Sequence, residues 1–158
     1  MRQIYRITQA AELEALAGFR DFINSACKER GGIDEQTIYD LMLAVDEACT
    51  NIITHGYAGM NPGSIILSLE FSPQQVVMVI TDFGQPFEPS EAPMPDLEAA
   101  LEDRDTGGFG LYFIYQTMDE VGYQTNEDGN HLTLIKRLRT SAQQTSPADR
   151  SIIDERGS

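Results

Sequence analysis

Basic residues are scarce in this sequence. Eleven lysines and arginines face 25 aspartates and glutamates, a formal net charge of −14. A chain this acidic repels phosphate backbones and anionic bilayers, which argues against nucleic acid and membrane surfaces as partners. Cysteine is scarce too. Cys27 and Cys49 are the only two, both fall in helical patterns, and their spacing suits neither a disulfide framework nor a metal site. They read as reduced, partly buried thiols of a cytosolic protein. No apolar run nears the ~18 residues that a membrane-spanning helix needs. The opening Met1-Arg2-Gln3-Ile4-Tyr5-Arg6 is too polar for a signal peptide. No internal repeat or domain linker is visible. The expectation is a soluble cytoplasmic domain.

What is present suffices for one core. With 158 residues, 41% hydrophobic and 8% aromatic, the chain can bury a single domain and is too short for two ordinary ones. Residues 2–8 alternate as a short edge strand does. Helical spacing then runs from Gln9 to Glu29 and stops at Gly31-Gly32. A second helix is expected over 35–55, with Asp34 as N-cap and Gly56 as stop. The turn-rich stretch 56–63 leads into strands over 64–71 and 76–81, joined at Ser72-Pro73-Gln74 as a hairpin. Pro86, Pro89, Pro93 and Pro95 then crowd a segment that cannot pack a core, so a long exposed loop with the character of a lid is expected. Gly107-Gly108-Phe109-Gly110 opens a third helix, and strands over 119–125 and 131–138 close the domain at residue 139. Residues 140–158 have little to bury and are expected to be disordered. The order β-α-α-β-β-loop-α-β-β predicts an α+β two-layer sandwich, its mixed, mostly antiparallel sheet covered by helices on one face.

Three pieces bear chemistry, and each has a plain reading beside a functional one. In the second helix Ile38, Leu41, Met42, Val45, Cys49, Ile52 and Ile53 make one apolar side. Opposite them, Glu47, Asn51 and His55 form a ridge at four-residue spacing, with Ala44 and Ala48 beside it. That ridge is either a solvated face or a site, since Glu can take a proton and the Asn carbonyl suits a hard cation. His55 reads as closing the helix end. Asp82-Phe83-Gly84, at the end of a strand, is either a turn or an acceptor for an exocyclic amine such as adenine N6. The glycines at 107, 108 and 110 are either a hinge or a set of free backbone N–H groups at a helix start, able to face phosphate.

Taken in order, Glu-x-x-x-Asn on a helix, Asp-x-Gly-x-Pro-Phe after a strand, a lid, and Gly-Gly-x-Gly-Leu opening a helix resemble the N, G1 and G2 boxes of the histidine-kinase-like (GHKL) ATPase superfamily. Within it, D-E-A-C-T-N-I-I-T-H-G-Y, D-F-G-Q-P-F-E-P, G-G-F-G-L-Y-F-I and H-L-T-L-I-K-R-L are most similar to the anti-sigma-factor serine/threonine kinase family, over residues 5–138. The resemblance implies ATP and Mg²⁺ as cofactors. It implies Asn51 as a Mg²⁺ ligand and Glu47 as the carboxylate that deprotonates the attacking hydroxyl. Asp82 would select adenine, with Gly84 letting the base approach the backbone, while Gly108 and Gly110 reach the phosphates. Arg104, in the lid, would meet the terminal phosphate or pair with its neighbours Asp103 and Asp105. Thr133 would lie near the adenine, although Asn130-His131 replaces the family's Gly-Thr-Thr pattern.

The implied function is an ATP-dependent protein serine/threonine kinase working by partner switching. It would hold a sigma factor or other regulated protein, and it would phosphorylate a Ser or Thr of a small antagonist. A homodimer through the sheet edge or first helix is compatible with the same resemblance. Two rivals make different demands: an ATP-binding scaffold would transfer nothing, and the detached ATP-binding half of a histidine kinase would need a helical pair bearing a phosphorylatable His.

Overall fold

The computed structural model describes residues 3–86 and 113–138. Strand β1 (Gln3–Ala10) is followed by helices α1 (Ala15–Arg30) and α2 (Glu35–Asn51), a π-helical turn (Ile52–Gly56), and strands β2 (Ser64–Phe71), β3 (Gln75–Asp82), β4 (Glu120–Asn126) and β5 (Gly129–Arg137). Residues 113–117, ahead of β4, are helical. The strands form one sheet in the order β1-β2-β3-β5-β4. Every pairing is antiparallel, so the expected α+β architecture holds with no parallel pair among the described residues. The lid, with Arg104, Gly108 and Gly110, and the tail from 140 lie outside the described residues.

Strict alternation decides which face is buried. Ile65, Leu67, Leu69 and Phe71 of β2, Val76, Met78 and Ile80 of β3, and Leu132 and Leu134 of β5 point to the core. Phe19 and Ile23 of α1 and Ile38, Leu41, Val45 and Cys49 of α2 join them in a single cluster, so the helices cover that one face. Helix α2 starts where the sequence places it, because the Asp34 side chain accepts the Thr37 N–H at 2.8 Å. Desolvation raises the Cys27 thiol to about 11 and the Cys49 thiol to about 12, so both stay protonated and unreactive near neutral pH.

Three expectations change. Helix α1 begins at Ala15, not Gln9, because Gln9 and Ala10 continue β1 opposite Ile65 and Ser64. The ridge of α2 is not flanked by open surface: Ala44 and Ala48 beside it are buried, Ala48 at the wall of a cavity that it shares with Asn51 and His55. The second helix does not run regularly to His55, because its last turn widens to π from Ile52 to Gly56.

Candidate functional site

The widened turn lies beside the end of β3, and the two are tied together. The Tyr57 N–H reaches back five residues to the Ile52 carbonyl at 3.0 Å. Such π turns are rare and cluster at functional sites, because they swing one residue out of the regular ladder. The Gln85 N–H donates to the Gly56 carbonyl at 2.7 Å, crossing the two backbones against each other. This crossing requires glycine at 84, where an added Cβ would stand 2.5 Å from the Gly56 oxygen. Tyr57 fixes the same junction from below. Its buried hydroxyl donates to the Ser64 carbonyl and accepts the Phe83 N–H, both at 2.9 Å. Burial is the main cause that raises the Tyr57 phenol, with Asp82 adding to it and the Phe83 bond opposing.

Between these elements opens a cavity of about 240 Å³. Ala48, Asn51, Ile52, His55 and Gly56 supply one wall, Asp82, Gln85 and Pro86 another, and Ile114, Tyr123 and Leu132 the apolar remainder. Asp82 is 4% exposed. Its Oδ1 accepts the Gly84 N–H at 2.9 Å and the Asn130 Nδ2–H at 2.9 Å. Among the described residues no hydrogen bond engages its Oδ2, so one carboxylate oxygen is fixed by two donors and the other is unspent. An apolar slot with one oriented acceptor is what a flat heterocycle with an exocyclic amine requires.

Asn51 lines the cavity from the last turn of α2, half-buried. Glu47 lies one turn before it, half-buried and outside the cavity wall. Desolvation, then the neighbouring Asp46, push the Glu47 carboxyl above its ordinary value, which makes it a stronger base than a free carboxylate. Asp46 is itself held by Arg20, whose Nη1 lies 2.9 and 3.0 Å from its two oxygens. Among the described residues no three His, Cys, Asp or Glu side chains converge as a metal cluster.

The structure thus brings Asn51 and Asp82 to one cavity, with Gly84 at the backbone crossing beside it and Glu47 a turn away. It does not bring Thr133, which pairs with Val79 and Gly122 and sits between the inward-facing Leu132 and Leu134. Thr133 therefore faces away from the helices, and its expected place near the adenine is a miss. The residue next to Asp82 is instead Asn130, directly opposite it across the strands and 3% exposed. His55, expected only to close the helix end, lies in the π turn and lines the cavity. Tyr57 escaped the sequence reading, and Asn130 entered it only within a departure from the family's Gly-Thr-Thr pattern, with no role of its own. A tyrosine after a glycine carries no local signal, and the Asn130 partner is 48 residues away.

A model of the histidine kinase-like ATPase domain matches residues 9–136. The serine/threonine-protein kinase BtrW of Bordetella bronchiseptica is 35% identical over 96 residues, 61% of this chain and 68% of that protein. The serine-protein kinase RsbW of Bacillus velezensis is 31% identical over 135 residues, covering 74% and 84% of the two chains. The anti-sigma F factor of Clostridium novyi is 27% identical over 106 residues, covering 66% and 74%. A crystal structure of the RsbU and RsbW domains of a Mycobacterium tuberculosis protein superposes with a TM-score of 0.65 at 21% identity. It covers 91% of this chain, which spans only 35% of that longer one, so this likeness bears on the fold alone. The chain belongs to the histidine kinase-like ATPase domain family, in the branch of the RsbW-type serine kinases.

Proposed function

We propose that this protein is an ATP-dependent protein serine/threonine kinase that works by partner switching. It holds a sigma factor or comparable regulator and phosphorylates a Ser or Thr of a small antagonist protein, which then dissociates. The names of the RsbW and anti-sigma F relatives support this reading. The observation that carries it is one cavity with Asp82 at the end of β3, Asn51 on α2, and Glu47 one helical turn from Asn51. Asp82 reads the adenine amine through its available oxygen. Gly84 lets the base approach the backbone, and the family resemblance assigns Arg104, Gly108 and Gly110, which lie outside the described residues, to the phosphates.

The reaction is phosphoryl transfer. A bond forms between the substrate hydroxyl oxygen and the γ-phosphorus, and the bond from that phosphorus to the bridging oxygen breaks, releasing ADP. Glu47 orients the hydroxyl and takes its proton onto a carboxylate oxygen. The raised basicity that its half-burial gives it suits that task. Asn51 would hold Mg²⁺ through its side-chain carbonyl, a hard oxygen donor, and among the described residues no carboxylate cluster accompanies it. When bound, the ion neutralises charge on the phosphates.

No described helix is long and apolar enough to cross a membrane. Action in the cytoplasm belongs to the proposal, supported by two free, buried thiols. The test is co-purification from native lysate with and without ATP, followed by phosphosite mapping. The expected result is a small protein that carries a new phosphoserine or phosphothreonine only when ATP is supplied. A captured partner that stays unmodified would leave a nucleotide-dependent scaffold as the better account.

A further inference from the structure

Thr125, Asn130 and Asp82 occupy one cross-strand row through β4, β5 and β3, each directly opposite the next. Their side chains form an uninterrupted chain of hydrogen bonds. The Thr125 Oγ1–H donates to Asn130 Oδ1 at 3.0 Å. Asn130 Nδ2 donates to Asp82 Oδ1 at 2.9 Å and to the Gly84 carbonyl at 2.9 Å. A side-chain amide has two N–H donors, and both are spent here. Its orientation is fixed by its partners, since flipping the amide would set its oxygen against a carboxylate and a carbonyl. Asn130 therefore has no donor left for a ligand.

We propose that Asn130 is the positioning residue for base selection in this protein, acting through Asp82 and not by touching the base. It holds Oδ1 from one side while the Gly84 N–H holds it from another. The carboxylate cannot rotate without breaking a buried hydrogen bond. The same amide pins the Gly84 carbonyl, so the acceptor and the backbone against which the base lies move as one unit. Thr125 contributes by fixing which end of the amide faces Asp82. This inference rests on the proposed reading of adenine by Asp82.

The test compares ATP with purine ribonucleoside triphosphate, which lacks the 6-amino group, by calorimetry on the full chain. The wild type is expected to favour ATP by about tenfold or more, the worth of one buried hydrogen bond to a charged acceptor. In Asn130→Ala that preference is expected to fall to within about twofold, while affinity for the amine-free analogue stays near the wild-type value. Weaker binding of both ligands by the same factor would mark a merely structural role and overturn the proposal, and so would a preference retained in full. No preference in the wild type would overturn the base reading of Asp82 itself, a failure distinguishable from the first. Should Asn130→Ala not fold, Thr125→Val decides. It removes only the donor that orients the amide and is expected to lower the preference at least twofold, and an unchanged preference would again overturn the proposal.

Discussion

Replacing Gly84 with alanine tests the crossing on which the cavity depends. The new Cβ would meet the Gly56 oxygen at 2.5 Å and its carbonyl carbon at 2.7 Å, both backbone atoms that cannot rotate away as a side chain could. Asp82 Oδ1, at 3.3 Å, blocks one direction of escape. Relief requires the strap after β3 to lift from the π turn, which breaks the 2.7 Å bond from the Gln85 N–H to the Gly56 carbonyl. Overpacking of this kind costs about 1–3 kcal/mol, and the lost hydrogen bond adds about 0.5–1.5 kcal/mol. A destabilisation of about 2–4 kcal/mol is therefore expected, read as a lower urea midpoint at unchanged slope. Because the same movement displaces Asp82, ATP affinity should fall at least tenfold at temperatures where the variant is folded. A variant within about 0.5 kcal/mol of the wild type, the range of an ordinary surface substitution, with unaltered ATP binding would refute the reasoning.

Tyr57→Phe keeps the ring but leaves the Phe83 N–H and the Ser64 carbonyl without their partner. A loss of about 1–3 kcal/mol is expected in denaturant titration, and no loss would mean that water replaces the hydroxyl. Glu47 must be ionised to accept a proton, and its carboxyl is raised by burial and then by Asp46. Phosphoryl transfer should accordingly fall as pH drops through that raised value. Asp46→Asn, which removes the nearby like charge, should move the acid limb of the pH–rate profile to lower pH. A limb that stays in place or moves upward would remove Asp46 from the set of groups acting on Glu47.

Where alternation or helical spacing was unbroken, the sequence already carried the fold. Leu67, Leu69, Met78 and Ile80 announce the buried sides of β2 and β3, and Asp34 with the apolar stripe announces α2. The same alternation bears on Thr133. With Leu132 and Leu134 inward, the residue between them must face outward, and a family pattern is no substitute for that phase. The end of β1 was harder to read. Gln9 and Ala10 belong to a strand only because Ile65 and Ser64 lie across from them, and a local window sees only a good helical start. Of the two small residues beside the ridge, Ala44 is spent on core packing, while Ala48 is buried and also lines the cavity. The acidic and glycine residues of the site lie in recognisable order along the chain. The contacts that orient them, Tyr57 to Phe83 and Asn130 to Asp82, join residues 26 and 48 positions apart and depend on strand register.

The role proposed for Glu47 is to take a proton during transfer to a protein hydroxyl. Its most direct test is the phosphate incorporated into the co-purified antagonist by Glu47→Gln, with ATP affinity measured on the same preparation. The side chain keeps its size and hydrogen bonding and loses its basicity. ATP affinity is expected to stay within about twofold of the wild type while the transfer rate falls ~10²–10⁴-fold, so that an unphosphorylated complex accumulates. Undiminished phosphorylation of the antagonist by this variant would contradict the account.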